Sequence, residues 1–326
     1  MLITQARGPR IERSVTLRFY GDWGLANLTR VCGWLQQEFL DRAGPHARGA
    51  IWNGRGGVDA LRAIGRGEVD VALSTPAPFA RMALEGRGPF AGEPYPHLRA
   101  LGVVPQNDRL LVALDASLGI RSFADWRERK AGLKIAACPN DGINFVGLAT
   151  EGLMAASGID RATLEGWGGG YVLDERPPPC VERYMAGEVD AVIMEAMMMP
   201  AWDELFAQRE TVLLEPEPEV LAQLERELGW PSYRVPEGYW PAKPEPIMAL
   251  DFSDFLVIVR EDMPEDVAHV LTWCLFETRG HIEMYYRHLD PNRSAITWPL
   301  VPEAMAQTPI PLHPGAERYV REHVAS

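Results

Sequence analysis

Gly67-Glu68-Val69-Asp70 recurs as Gly187-Glu188-Val189-Asp190, and the setting recurs with it. Each copy follows a short amphipathic stretch (58–64; 181–185) and precedes an apolar run (71–73; 191–194). Glycine tolerates the left-handed conformation that ends a helix, and an apolar, β-branched run suits a buried strand, so each copy reads as helix, glycine cap, strand. A turn follows, Ser74-Thr75-Pro76 or Glu195-Ala196-Met197, and then another helical pattern. Two copies of one such unit predict an α/β chain of two similar lobes. Open α/β sheets bind ligands at loops beyond the carboxyl ends of their strands. Ser74, Thr75 and Glu195 are therefore candidate ligand-binding residues.

Outward from the repeat, the alternation continues. A strand is expected at 15–20, then the turn Gly21-Asp22-Trp23-Gly24 and a helix with apolar positions Leu28, Val31, Leu35 and Phe39. A short strand at 50–53 leads through Asn53-Gly54-Arg55-Gly56-Gly57 into the next helix. Strands are expected at 98–104, 110–114 and 134–138, the last followed by Pro139-Asn140-Asp141-Gly142 and a helix through Ala156. Ser122 and Asp125 have capping-box spacing for a helix beginning at Phe123. Residues 164–167 read as a strand, Gly168-Gly169-Gly170 as a flexible turn, 202–208 as a helix, and the proline-rich run 215–246 as an irregular excursion. A strand at 255–259 precedes Asp262-Met263-Pro264-Glu265-Asp266, the proline and acids of a first helical turn. The runs 110–114 and 255–259 match in pattern, and side by side they would form a hinge. That assigns 1–113 plus 255–326 to one lobe and 114–254 to the other, with a ligand cleft between them.

Composition narrows the function. The chain has 326 residues, enough for two domains, and its 47% hydrophobic and 24% charged residues suit a globular protein. A net charge of −13 excludes a general nucleic-acid binder, which needs a basic footprint. No stretch approaches the roughly 20 apolar residues of a membrane span. Residues 1–14 carry Arg7, Arg10, Glu12 and Arg13 and no apolar signal core, so the chain as written is expected in the cytoplasm, or in the periplasm if a leader has been removed. Cys32, Cys138, Cys180 and Cys274 form no Cys-x-x-Cys pair and are expected to be free, mostly buried thiols. The histidines show no metal-ligand spacing. No metal, cofactor or catalytic residue is expected.

Each candidate has a bland reading beside the functional one. Arg55 and Gly56, before a helix, could bind an anion through the guanidinium and exposed amides, or Arg55 could be a solvated turn residue. Asp22, Asp141 and Glu195 fall at three strand ends, where carboxylates could hold an ammonium group, a hydroxyl or a hard cation. Asp22 and Asp141 equally suit helix N-caps. Trp23, Phe145 and the Met197-Met198-Met199 run could wall a pocket or pack in a core. Asn27 and Asn144 lie in the same two loops. Cys138 has no histidine near it in sequence to activate a nucleophile.

Gly88-Pro89-Phe90-Ala91-Gly92-Glu93-Pro94-Tyr95-Pro96-His97-Leu98-Arg99-Ala100-Leu101 resembles a segment of the TAXI-family solute receptors of TRAP transporters. Ile310-Pro311-Leu312-His313-Pro314-Gly315-Ala316-Glu317-Arg318-Tyr319 resembles that family's C-terminal signature. Gly119-Ile120-Arg121-Ser122-Phe123-Ala124-Asp125-Trp126 and Met263-Pro264-Glu265-Asp266-Val267 fall in the family's order, so the resemblance runs from about 15 to 322. It implies a type II periplasmic-binding-protein fold, two lobes closing on a small organic solute, usually an acidic amino acid or other organic anion, and delivery to TRAP membrane subunits if the chain is exported. The chain departs from the family in the cleft, at Gly21-Asp22-Trp23-Gly24-Leu25-Ala26-Asn27, at Cys138-Pro139-Asn140-Asp141-Gly142-Ile143-Asn144-Phe145 and at Glu195-Ala196-Met197-Met198-Met199. The alternative expectation is a cytoplasmic enzyme or ligand sensor on the same scaffold, using the cleft carboxylates.

Overall fold

The computed structural model describes residues 8–22 and 27–324, with the side chain of Asp22 outside that description. Its strands are β1 (Thr16–Asp22), β2 (Arg48–Gly54), β3 (Val71–Ser74), β4 (Leu98–Val104), β5 (Arg109–Asp115), β6 (Lys134–Ala137), β7 (Gly170–Leu173), β8 (Ala191–Met194), β9 (Thr211–Leu213), β10 (Ser232–Val235), β11 (Ile247–Asp251) and β12 (Phe255–Arg260). They form two mixed sheets, ordered β2-β1-β3-β12-β4 and β10-β11-β5-β8-β6-β7, with β9 added beside β5. Helices flank both, so the α/β class is as expected. The chain divides into one unit of Met1–Gln106 with Asp254–Ser326 and a second of Asn107–Ser253.

In the first unit β1 runs parallel to β2 and β3, while β12 lies antiparallel between β3 and β4. The helix Asn27–Leu40 buries Leu28, Val31, Leu35 and Phe39, the spacing read from the sequence, against the sheet. The helix Glu265–Glu277 adds Val267, Leu271 and Leu275 to the same core, and the helix Pro314–His323 seals it with Tyr319. Burial of each large apolar side chain contributes about 1.5–3 kcal/mol. A strand buried on both faces reads as an unbroken apolar run, and Phe255 to Val259 is one, buried throughout.

In the second unit β6 is parallel to β7 and β8, and β5 runs antiparallel to β8, β9 and β11. The helices Phe145–Ala156, Pro177–Met185 and Pro200–Gln208 accompany this sheet. Ser122 caps the helix Phe123–Arg129 by accepting the Asp125 amide at 3.0 Å, as its spacing predicts.

The four-residue repeat is a structural repeat, bond for bond. After the helix Gly57–Gly65, Gly67 takes φ +71, its amide donates to the Ile64 carbonyl at 3.1 Å, and the Glu68 amide donates to Ala63 at 2.9 Å. After Pro177–Met185, Gly187 takes φ +73, with Gly187 to Tyr184 at 3.0 Å and Glu188 to Arg183 at 3.1 Å. Both are Schellman endings, in which glycine supplies the left-handed residue and two orphan carbonyls are satisfied. Val69 and Val189 are buried, and each aspartate then pairs with the strand that neighbours the one it opens.

Three expectations are corrected. Residues 164–167 are not a strand: Leu164 lies in the helix Arg161–Gly166, whose N-cap Asp160 accepts the Thr163 amide at 2.8 Å. A cap three residues upstream outweighs one pair of apolar residues. The run 215–246 is not irregular throughout, since it contains the amphipathic helix Pro218–Leu228 and β10. Nor do the strands 110–114 and 255–259 pair with each other. β5 and β12 belong to different sheets, each filling an interior position in its own unit. The residues that do run alongside are those before and after them. Asp254 accepts the Gln106 amide on its carboxylate at 3.0 Å, and the Phe252 amide donates to the Asp108 carbonyl at 3.1 Å.

Candidate functional site

In the first unit, parallel pairing brings three strand ends to one edge. Asp22 is in register with Gly54, and β3 runs parallel beside β1 and ends at Ser74. Asp22, Arg55, Gly56, Ser74 and Thr75 therefore share that edge. Leu256 pairs with Ser74, so β12 begins there too. Trp23 lies outside the described residues.

The loop after β2 is shaped by Tyr20. A β-carbon at Gly54 would sit 1.8 Å from the Tyr20 hydroxyl, which itself donates to the Asp59 carboxylate. Arg55 is exposed, and Gly56 is extended at φ 163 with no side chain capping the helix Gly57–Gly65. Ser74 is buried, its hydroxyl 3.5 Å from the Gly57 carbonyl, and Thr75 is half-buried. Asn27 opens its helix with its amide oxygen accepting from the Tyr286 hydroxyl at 2.7 Å and from Arg30 at 3.2 Å. That holds Asn27 in a network inside the unit.

In the second unit β6 and β8 end where β5 begins, because Leu111 pairs antiparallel with Met194. Asp141 and Asn144 follow β6, and Glu195 follows β8. Asp141 does not cap the helix. Its carboxylate accepts the Ile143 and Asn144 amides at 3.0 and 3.1 Å, and Asn144 is the cap, accepting the Val146 amide at 2.8 Å. Phe145, at the first helical position, is buried. Cys138 is buried, and contact with Cys180 together with desolvation raises its thiol pKa far above the usual range. A thiol held neutral is no nucleophile at physiological pH.

Two residues at this edge were missed by the sequence reading. Asp108 is buried, and its carboxylate accepts the amides of Arg109 at 2.7 Å, Met197 at 3.0 Å and Ala196 at 3.1 Å. Burial pushes its pKa up to about 6 against the pull of those amides. Arg109 is buried as well, paired with Asp251 at 3.0 Å and covered by the Tyr233 ring at 4.5 Å. The signal available was Gln106-Asn107-Asp108-Arg109, four polar residues between two apolar strands.

A cavity of about 600 Å³ in the first unit opens at the other edge of its sheet, among Arg13, Thr16, Arg66, Asp70, Arg260 and Asp262. Its arginines are already paired, Arg13 with Asp266, Arg66 with Glu93 and Arg260 with Asp262. It holds none of the candidate residues. Among the described residues no group of three or more metal-ligating side chains occurs, and no helix is long and apolar enough to cross a membrane.

Several solved structures resemble the chain. One is the periplasmic aliphatic sulphonate binding protein SsuA from Escherichia coli, 14% identical over 83% of this chain and 77% of that one, with a TM-score of 0.42. Another is PhnD1 from Prochlorococcus marinus in complex with methylphosphonate, 10% identical over 81% and 83%, with a TM-score of 0.46. A third is a marine metagenome TRAP solute binding protein specific for aromatic acid ligands, in complex with 3-hydroxybenzoate, 14% identical over 84% and 79%, with a TM-score of 0.39. No curated protein matches the chain. The model of the NMT1-like family matches residues 44–323, which takes in both units. On that match, the chain belongs to the NMT1-like family.

Proposed function

We propose that the chain is a solute-binding receptor of TAXI type, whose two strand-end edges close on one small organic ligand, a carboxylate or an amino-acid-like molecule. The observation that carries this reading is where the chain passes between units. It leaves the first unit at Gln106 and returns at Asp254, at the edge that carries Arg55, Ser74 and Thr75. It enters the second at Asn107 and leaves at Ser253, at the edge that carries Asp141, Asn144 and Glu195. In this reading the short connections keep both sets of loops on one ligand, and Gln106 to Asp108 and Phe252 to Asp254 serve as the hinge.

Arg55 and the uncapped amides of the helix Gly57–Gly65 take the ligand's anionic group, with Ser74 and Thr75 adding hydroxyls. Asp141 and Glu195 face its polar remainder, while Asn27, Asn144 and Phe145, held or buried within their own units, shape the loops around it. A polar group left unpaired after closure costs about 1–3 kcal/mol, and this is the source of specificity. The partner is a TRAP membrane subunit, met in the periplasm. The motifs at 88–101 and 310–319 support the TAXI assignment.

The test is a thermal-shift screen of benzoate, 3-hydroxybenzoate, succinate and L-glutamate, followed by calorimetry of the strongest stabiliser on wild type and Arg55→Ala. Loss of the guanidinium is expected to weaken binding at least about tenfold, or about 1.4 kcal/mol. Unchanged affinity would remove Arg55 from the site.

A further inference from the structure

We propose that Arg109 is a second anion-binding residue, and that the solute this chain takes therefore carries two carboxylates. The statement about the solute rests on the receptor reading above. The statement about Arg109 concerns the edge of the second unit alone.

Arg109 opens β5 at the edge where β6 and β8 end. It is in register with Asp251 on β11, and Ala249 of the same strand is in register with Tyr233 on β10. Alternate residues of a strand share a face, as do directly opposed partners. Arg109, Asp251 and Tyr233 thus stand on one face of the sheet.

The Arg109 side chain is only 5% exposed, yet part of its guanidinium is unused. Nη1 donates to the Asp108 carbonyl, and to the Asp251 carboxylate at 3.0 Å. Among the described residues the buried Nε has no acceptor, and no hydrogen bond leaves Nη2. Nε–H and one Nη2–H form the fork through which a guanidinium takes a carboxylate by two parallel bonds. Asp251 does not fill that fork, because the oxygen that takes Nη1 also accepts the Ser253 amide at 3.1 Å.

What lies over the guanidinium is the Tyr233 ring, 4.5 Å from its central carbon. A ring face attracts a cation but accepts no bidentate pair of hydrogen bonds. Tyr233 is 60% exposed, and β10 is the outermost strand of its sheet. The ring can therefore swing toward water with little packing lost. Tyr233 is a cover that an arriving carboxylate displaces, and the carboxylate then pairs donors whose burial without a partner is costly.

The class of solute follows. One anionic group goes to Arg55 and the amides of the first unit, and a second goes to Arg109. A monocarboxylate leaves the Arg109 fork empty. An amine on a diacid meets Asp141 or Glu195.

The experiment joins calorimetry to nitrogen-15 spectra of the arginine side chains, both on the full-length chain. The probes are succinate and its monoamide succinamate, then L-glutamate and L-glutamine, each pair matched in length. The better-binding diacid is expected to bind at least about tenfold tighter than its amide. The Arg109 Nε signal, assigned by its loss in Arg109→Lys, should move when that diacid is added. Arg109→Lys keeps a cation for Asp251 but has no fork, and it should reduce the preference for the diacid to under about threefold with amide binding unchanged. If that variant does not fold, Tyr233→Leu assigns the signal by removing the ring above it, and the wild-type spectrum carries the test. A diacid bound no better than its amide, or an Arg109 signal that stays in place as the diacid binds, would overturn the proposal and leave the receptor reading standing. Failure of every probe to bind would overturn both.

Discussion

The carboxylate of Asp190 accepts the amide of Lys134 at 2.7 Å, and the Asp190 amide returns to the Lys134 carbonyl at 2.9 Å. Asp70 and Arg18 repeat both bonds at 2.7 and 2.9 Å in the other unit. Each aspartate so aligns the strand it opens with its neighbour in the sheet, β8 with β6 and β3 with β1. The predicted consequence is that Asp190→Ala leaves the first amide of β6 without its partner and costs about 1–2 kcal/mol in urea denaturation. Asp190→Asn, which keeps an acceptor oxygen, should cost clearly less; equal losses would contradict the role.

Gly187 tests the other end of the repeat. At φ +73, with nothing within 4 Å of the place a β-carbon would occupy, it has room for a side chain but needs glycine's backbone freedom. Gly187→Ala should destabilise by about 1–2 kcal/mol through the left-handed penalty alone. Gly187→Asn should cost less, because Asn tolerates that region. A neutral alanine variant would show that the helix ends some other way.

Gly54 is a matter of space. Its β-carbon would overlap Tyr20, which cannot retreat without releasing Asp59. Gly54→Ala is expected to destabilise by about 1–3 kcal/mol and to move the Arg55 loop. Pairing it with Tyr20→Leu, which removes the hydroxyl and the ring carbons Cζ and Cε1 that lie 2.1 and 2.2 Å from that β-carbon, should cost less than the two single losses added together. Strict additivity in the double variant would place the cost elsewhere.

His313 makes one part of stability sensitive to acid. It caps the helix Pro314–His323 by accepting the Gly315 amide on Nδ1 at 3.1 Å, which requires an unprotonated ring nitrogen. Burial lowers its pKa from the ordinary 6.5, so the native state binds this proton less readily than the unfolded chain. The contribution is fully present above the unfolded value and is lost as pH falls from there through the lowered native value. Wild type should lose more stability between about pH 8 and about pH 5 than His313→Asn, whose cap does not titrate. Parallel losses would contradict this.

Much of this architecture can be read from the chain. The doubled Gly-Glu-Val-Asp, the apolar runs at 98–104 and 255–259 and the stripe Leu28, Val31, Leu35, Phe39 are local patterns tied to burial, and burial follows them. The misread segment at 164–167 is where a short cap at Asp160 competes with two apolar residues, a contest that periodicity cannot settle. The expected pairing of 110–114 with 255–259 failed for a different reason. Two strands alike in pattern need not be neighbours, since pairing is decided by sheet order. Asp108, Arg109 and Asp254 escaped because polar residues between strands resemble any loop, and only folding shows that Asp108 gathers three amides. At the candidate site the chain names the loops but not the tasks within them. Asp141 and Asn144 both suit a cap, and their hydrogen bonds alone decide between them.

The central claim is that both strand-end edges act on one solute and close over it. Small-angle X-ray scattering on the whole chain tests it most directly, with and without a saturating amount of whichever carboxylate in the thermal-shift set stabilises it most. A smaller radius of gyration in the saturated sample is predicted, as hinge closure requires. An unchanged radius at saturation would contradict the account.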